Sequence, residues 1–409
     1  MKTERIAPRG HVGGASSTAT QAVRAGHLIF VGGQMSLDER GRVVGSDMAT
    51  QAERAFAALE RALEAAGASM ADVVKHNVYI DCDGDDAALG RSLEQLNQVR
   101  LAHFRDPGPT TTETRVGLDR EGALIQVEAV AAVGVPRQRI MPAGHWGWGG
   151  RLPFSHGWKV GDVVFVGGQR SLDAGGRLVG VGDIAAQTAN AFGSVERVLE
   201  AAGGDRNNLM RQNTYYRFLG EGHDVTDYWE KMTRVRLQHW SKPTPCGTGV
   251  RVKGFPFNEE LIQTEGIAVL GTDKQRLMPA NHWDWSIPNN DFTQGWRNGD
   301  LVFIGGQISA DDKARAVGGD LASQTRNVYR FIRSTLREAG CDERDVVKLN
   351  SYYYVAGDRA RLAEAAATMG AIQKEFYPDP GPAATTVRVT GFAFEELLVE
   401  IEAIAVRRG

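Results

Sequence analysis

A five-residue motif that occurs three times constrains the fold more than any other feature of this chain. Phe30-Val31-Gly32-Gly33-Gln34 returns as Phe165-Val166-Gly167-Gly168-Gln169 and as Phe303-Ile304-Gly305-Gly306-Gln307. Asn77, Asn213 and Asn350 recur in K/R-x-N-x-Y with Tyr79, Tyr215 and Tyr352, and Glu128, Glu265 and Glu402 recur 137 residues apart both times. The linkers repeat as well: Arg5-Ile6-x-Pro8-x-x-His11, Arg139-Ile140-x-Pro142-x-x-His145 and Arg276-Leu277-x-Pro279-x-x-His282. Self-similarity at a fixed period marks repeated structural units that bury their open faces against one another. The internal matching divides the 409 residues into three copies, 1–136, 137–273 and 274–409.

Each copy reads as the element order ββαβαββ. In the first, Leu28–Val31 and Arg42–Val44 are β-rich, and a helix then opens on an Asp N-cap, Asp47, with Asp183 and Asp320 as its counterparts. Phe56, Leu59 and Leu63 step at helical spacing, and Gly67, Gly203 and Gly340 stop the three helices. A strand follows (73–80, with 352–355 in the third copy), then a second helix at about 88–104, 225–240 and 359–377. A Pro-containing loop leads into a last pair of strands, 111–118 and 124–133, read as a hairpin. The result is an α+β unit with helices on one sheet face. Three linked copies would bury the other face in a pseudo-threefold ring. In the hairpin reading, Arg388 lies opposite Glu402 across the turn at Phe394–Glu396, as do Arg251 and Glu265, and Arg115 and Glu128, fixing register by cross-strand charge.

Composition narrows the function. Lys+Arg 47 against Asp+Glu 50 leaves a net charge of −3, so no global basic excess holds nucleic acid or anionic lipid. Cys82, Cys246 and Cys341 are too few and too scattered for a disulfide framework or a cysteine zinc site. The first residues lack the apolar stretch of a signal peptide, and no run approaches the ~18 apolar residues of a membrane span. The expectation is a soluble, cytoplasmic protein with no membrane or nucleic-acid partner.

Together, F-V-G-G-Q, the D-x-x-x-Q-T helix start (Asp183, Gln187, Thr188), A-G at the helix end, V-V-K-x-N-x-Y and the strand Val399-Glu400-Ile401-Glu402-Ala403-Ile404-Ala405-Val406 resemble the Rid family, the reactive intermediate deaminases of RidA/YjgF type. The resemblance covers nearly the whole chain, three times over. It implies chorismate-mutase-like units in a trimer, sheets inside and helices outside, with small-molecule clefts between neighbours. Here one chain supplies all three units, as a monomer (an intrachain pseudo-trimer) or a low-order homo-oligomer. It also implies hydrolysis of enamines and imines by water, with no metal and no organic cofactor.

Departures from the family pattern single out site residues. The substrate-binding Arg that follows a P-A pair in active members falls at Thr111, Gly247 and Ala384. Arg115, Arg251 and Arg388 sit four residues on, ~13 Å along a strand at ~3.3 Å per residue. The entry-motif Tyr becomes Ala19, Phe154 and Phe292, and the Ser before G-Q becomes Gly32, Gly167 and Gly305. The terminal-strand Glu credited with water activation survives as Glu400, with Gln126 and Gln263 as its counterparts. Two residues beyond the missing Arg stand Glu113, Gly249 and Thr386; Glu113 is a candidate acid or base if desolvated, and a cross-strand ion-pair partner otherwise. Asn97 falls where the family has a cleft Asn, and Thr233 and Gly370 replace it elsewhere.

The linker residues His145-Trp146 and His282-Trp283 offer proton transfer near neutral pH beside an indole wall for a flat substrate. The competing reading docks those Trp residues on the preceding unit, with His bonded to backbone. A three-His metal site on the axis is disfavoured because linkers run along the outside. The clefts are therefore unequal: Glu113 and Asn97 in the first copy, Glu400 in the third, neither carboxylate in the second. The leading expectation is a small-molecule hydrolase, deaminase or lyase acting on an imine, enamine or carbonyl metabolite at an inter-repeat cleft. The alternative is a non-catalytic member that binds a metabolite or a protein.

Overall fold

The computed structural model describes residues 2–7, 19–147, 152–280, 291–313, 315–357 and 359–408. The first unit runs β1 (Thr3–Ile6), β2 (Ala22–Ala25), β3 (Leu28–Met35), α1 (Met48–Ala65), β4 (Val73–Ile80), α2 (Asp86–His103), β5 (Thr110–Arg115) and β6 (Ile125–Ala132). The second repeats it as β7 (Arg137–Ile140), β8 (Gly157–Val160), β9 (Val163–Arg170), α3 (Ile184–Ala201), β10 (Leu209–Tyr216), α4 (Asp224–His239), β11 (Cys246–Arg251) and β12 (Ile262–Val269). The third is β13 (Lys274–Leu277), β14 (Gly295–Asn298), β15 (Leu301–Ile308), α5 (Leu321–Glu338), β16 (Val346–Tyr353), α6 (Arg359–Phe376), β17 (Ala383–Arg388) and β18 (Val399–Val406). Each unit is one six-stranded sheet, in the order β1-β2-β3-β6-β4-β5 and its equivalents.

The Asp caps act as the sequence predicts. Asp47 accepts from Thr50 N, Asp183 from Ala185 N and Ala186 N, and Asp320 from Ser323 N. Gly67, Gly203 and Gly340 take positive φ just past the helix ends, the left-handed region that favours glycine. Helices α1, α3 and α5 pack on the outer sheet faces, where Phe56, Phe192 and Tyr329 are buried in three separate cores. All three units also share two further cores, one with Phe30, Phe165 and Phe303 from equivalent strands and one with Tyr79, Tyr215 and Tyr352. Sheets inside and helices outside make a tandem α+β pseudo-trimer within one chain.

Three details of the sequence reading need correction. The last two strands of a unit are not a hairpin: β17 pairs in parallel with β16, and β18 runs antiparallel between β15 and β16. The crossover helix α6 delivers β17 parallel to β16, so the chain must cross back before β18 can enter the sheet. Glu402 is therefore opposite Asn350, not Arg388. Second, Arg42–Val44 forms only a bridge (Leu37 to Val43), while the pairing strand β16 ends at Tyr353 rather than spanning 352–355. Third, the linkers do not simply run along the outside: β7 and β13 each add an edge strand to the sheet that follows.

Those corrections explain the repeated motifs. Asn77–Glu128, Asn213–Glu265 and Asn350–Glu402 are cross-strand partners on the inner face. Each Glu takes a cation from the unit before it: Lys75 Nζ lies 2.6 Å from Glu265, Arg211 3.6 Å from Glu402 and Lys348 2.6 Å from Glu128. The K/R-x-N motif and the repeated Glu thus form one buried, cyclic hub on the pseudo-threefold axis. Arg115, Arg251 and Arg388 instead clip the seams, where the backbone N–H of Arg115 donates to Gly254 O (2.8 Å), that of Arg251 to Gly391 O (3.0 Å), and that of Arg388 to Gly117 O (2.9 Å).

The G-G-Q motif has a packing origin. A Cβ on Gly305 would lie 2.8 Å from the backbone N and 2.9 Å from the backbone O of Gly247 in the neighbouring unit. Backbone cannot rotate away, so Gly305→Ala is expected to cost about 1–3 kcal/mol in urea unfolding. An unchanged midpoint would show that the seam absorbs a methyl. The third residue of the motif turns its amide back, Gln307 Nε2 donating to Gly305 O at 3.1 Å.

Candidate active site

The three seams place β5 against β9, β11 against β15 and β17 against β3. Each leaves a cleft, walled on one side by the strand that carries the missing-Arg position and on the other by the G-G-Q strand. Between the second and third units lies a cavity of about 60 Å³, against about 20 Å³ between the first and second.

Glu400 lines the larger cleft, with Arg236, Gly249, Trp229, Phe292 and Leu397 among its neighbours. On β18, Glu400 points across the sheet at Gly306, and any Cβ there would collide with its carboxylate. Glu400 Oε1 accepts from the backbone N–H of Gly249 at 3.1 Å, across the seam. Burial pushes its pKa well above the usual carboxylate range; the Gly249 N–H pulls it back only in part, and the nearby Glu402 charge adds to the rise. Burial thus favours the protonated form of Glu400, which faces a mainly apolar cavity.

Arg236 supplies the cleft's cation. It is buried near the end of α4, where Nη2 donates to Thr244 Oγ1 and Pro245 O, both at 2.7 Å, and its guanidinium lies 4.6 Å from the centre of the Phe292 ring. Burial lowers its pKa to about 10, with Asp291 opposing the shift. Among the described residues no carboxylate forms an ion pair with it; the nearby Asp291 carboxylate bonds Arg276 and Thr244 N. Trp229 fills the space above Gly249, where a Cβ would meet its ring, and its indole Nε1 is buried without a hydrogen-bond partner.

The cleft between the first and second units is built from the same positions but is ion-paired. Arg100, the counterpart of Arg236, pairs directly with Glu113, whose backbone N–H donates to Gln263 Oε1 at 2.9 Å. Arg170 pairs with Glu260 beside them. Thr111, Phe154 and Trp146 also line this cleft, with Trp146 stacked on Phe154 at 5.9 Å. Both nitrogens of His145 are engaged: Arg197 Nε donates to Nδ1 at 3.2 Å, so the proton is on Nε2, which donates to Gln169 Oε1 at 2.8 Å. Burial, with Arg197 assisting, keeps its pKa below the usual value despite the Gln169 bond. In the third seam, Gln126 packs on Gly33 with its Oε1 buried and unpaired.

The sequence-predicted residues therefore separate. Glu400 and Phe292 share one cleft; Glu113, Thr111, Gln263, Phe154 and Trp146 share another, and His145 does not line it but bonds its lining residue Gln169. Asn97 is half-buried on α2, three residues before Arg100, and is not among the residues lining that cleft. His282 and Trp283 lie outside the described residues. The sequence reading missed Arg100, Arg236 and Trp229. Arg100 and Arg236 were detectable, since V-R-L-x-H repeats on the second helix of the first two units.

Among the described residues no cluster of His, Cys, Asp or Glu is arranged to hold a metal ion, and no helix is long and apolar enough to cross a membrane. The profile of the family described as Endoribonuclease L-PSP matches residues 15–133, 150–270 and 286–407. A RutC family protein from Pyrococcus abyssi is 35% identical over 113 residues, covering 27% of this chain and 84% of the relative. A protein named 2-iminobutanoate/2-iminopropanoate deaminase from Salmonella typhimurium is 31% identical over 120 residues, covering 29% of this chain and 88% of the relative. A solved chorismatase superposes with a TM-score of 0.52 at 16% identity, covering 82% of this chain and 93% of that one, which is a likeness of fold.

Proposed function

This chain belongs to the Endoribonuclease L-PSP family, the family of RidA and RutC, in three tandem copies, and on that premise we propose that it hydrolyses an anionic imine or enamine in the cleft between its second and third units. The observation that carries the reading is the presence, in one largely apolar cavity, of a buried carboxyl, Glu400, whose pKa burial raises, and a cation, Arg236, that forms no ion pair among the described residues. Relatives named as deaminases of 2-iminobutanoate, 2-iminopropanoate and 3-aminoacrylate support the reaction class.

Arg236 takes the role that the missing strand Arg leaves open, holding the substrate's carboxylate. Neutral Glu400 donates its proton to the enamine carbon or the imine nitrogen, leaving an iminium carbon open to attack. The Gly249 N–H, already on Oε1, stabilises the carboxylate that this step creates. Glu400 then accepts a proton from the attacking water, and collapse of the carbinolamine releases ammonia and the ketone. Thus imine plus water gives ketone plus ammonia, with no net change in Glu400.

The test is ammonia release from a panel of freshly generated 2-imino acids, with Arg236→Gln as the informative variant. Losing a charge-assisted bond in a desolvated site costs roughly 1.5–3 kcal/mol, so KM should rise about tenfold or more. Turnover unaffected by that change would remove Arg236 from the site. Absence of turnover across the panel, with carboxylate binding retained, would favour the binding-protein reading.

A further inference from the structure

The three clefts form a natural substitution series at two facing positions, one on the second helix and one on the cleft strand. The first seam has Arg100 and Glu113, the second Arg236 and Gly249, the third Gln373 and Thr386. Where Arg and Glu are both present they pair inside the cleft. Where the Arg stands without the Glu, it lines a cavity larger than that of the first seam, with no ion-pair partner among the described residues. Where the Glu is gone and the helix residue is Gln, no charge remains at either position. A buried cation is costly to leave unpaired, and Arg236 has neutral acceptors and the Asp291 charge nearby but no ion pair, so the second arrangement is the one open to an anion from outside.

We infer that Glu113 is a built-in ligand: its carboxylate occupies, in the first seam, the seat that the second seam leaves open at Arg236 for the carboxylate of a bound molecule. The inference rests on reading the second seam as the working site, and it fixes the chain's capacity at one carboxylate. It also defines the ligand class. The anion sits at Arg236, and the body attached to it is largely apolar, because Trp229, Phe292, Phe392 and Leu397 wall the cavity. The unpartnered indole Nε1 of Trp229 supplies one further donor, for an acceptor atom on that body.

In the first seam, the linker reinforces the closure. His145 ties it to the cleft floor through Gln169, and His156 Nε2 donates to the Trp146 carbonyl at 2.8 Å. Trp146 and Phe154 then cover the Arg100–Glu113 pair with an aromatic stack. Glu113 is accordingly a positioning residue of a shut cleft, not the acid or base that the sequence alone allowed.

The experiment titrates the full chain with benzoate and with 2-oxobutanoate by calorimetry, which reads binding independently of turnover. The expected result is one equivalent for the wild type and two for Glu113→Ala, the second disappearing when Arg100→Gln is added. Because Glu113→Ala leaves a buried guanidinium unpaired, a second arm transplants the first seam's residues into the second. Trp229→Leu with Gly249→Glu copies Leu93 and Glu113, and should bind at least tenfold more weakly than Trp229→Leu with Gly249→Thr, which copies the third seam's Thr386. Equal affinity in those two double variants overturns the inference, as does a single equivalent in folded Glu113→Ala. A wild type that binds neither carboxylate overturns the functional reading of the second seam together with it. One equivalent in the wild type with equal affinities in the double variants overturns the inference alone.

Discussion

Glu400→Gln is expected to lower kcat by roughly 10²–10⁴-fold while raising stability relative to the wild type as pH increases. The substitution is nearly isosteric, and Gln already stands at the equivalent positions 126 and 263. What it removes is the proton. In the folded protein, burial holds Glu400 protonated well above the usual carboxylate range, whereas in the unfolded chain it ionises near ~4.3. Between those two values the native state binds one more proton than the unfolded state, so Glu400 lowers stability as pH rises through the window and contributes nothing below it. Urea unfolding of both proteins at pH 4 and pH 8 checks this: the variant should gain on the wild type from the lower pH to the higher. A stability difference independent of pH would mean that Glu400 is ionised in the native state. The wild-type rate should likewise fall as pH climbs past the raised pKa, because the proposed proton transfer needs the acid form.

Lys348→Met is expected to destabilise the protein by about 3–5 kcal/mol, the cost of leaving one charge of a buried pair alone. Lys348 Nζ reaches both Glu128 and Thr385 Oγ1, the latter at 2.7 Å, and Asn350 Nδ2 donates to the same carboxylate at 2.8 Å. Removing the ammonium leaves Glu128 buried on the pseudo-threefold axis with only neutral donors for its unit's share of the hub. Adding Glu128→Gln should recover most of the loss, because the charge that lacked a partner is then gone as well. Urea denaturation of the single and double variants decides it. If the double variant is no more stable than the single, the damage lies in packing rather than in the stranded charge.

Much of this architecture was readable from positions that recur. Helix caps at Asp47, Asp183 and Asp320 and stops at Gly67, Gly203 and Gly340 depend on local backbone chemistry, which the sequence carries directly. The ring was readable because a motif such as K/R-x-N has no reason to repeat unless each copy meets an equivalent surface. Strand pairing was not. Arg388 and Glu402 are symmetric about a turn, yet which strand neighbours which is decided by where the crossover helix returns the chain. Site residues failed for a related reason. Glu400 could be singled out because it sits at a recognisable motif position, whereas Arg236 reaches the cleft from a helix whose relation to it exists only in three dimensions. Likewise, nothing local to Glu113 distinguishes a free carboxylate from one already bound by Arg100.

The linker strands carry a consequence for cooperativity of assembly. β13 belongs to the third sheet and is joined directly to the second, so the walls of the cleft between those units are tethered partners. A tether of this kind holds its partner at an effective concentration of order millimolar, and dilution cannot separate the two walls. In an assembly of three separate chains, each cleft would exist only while the subunits stay associated, and any substitution would appear in all three clefts at once. Here the cleft that holds Glu400 is maintained by first-order chemistry within one molecule, and its neighbours are free to become struts.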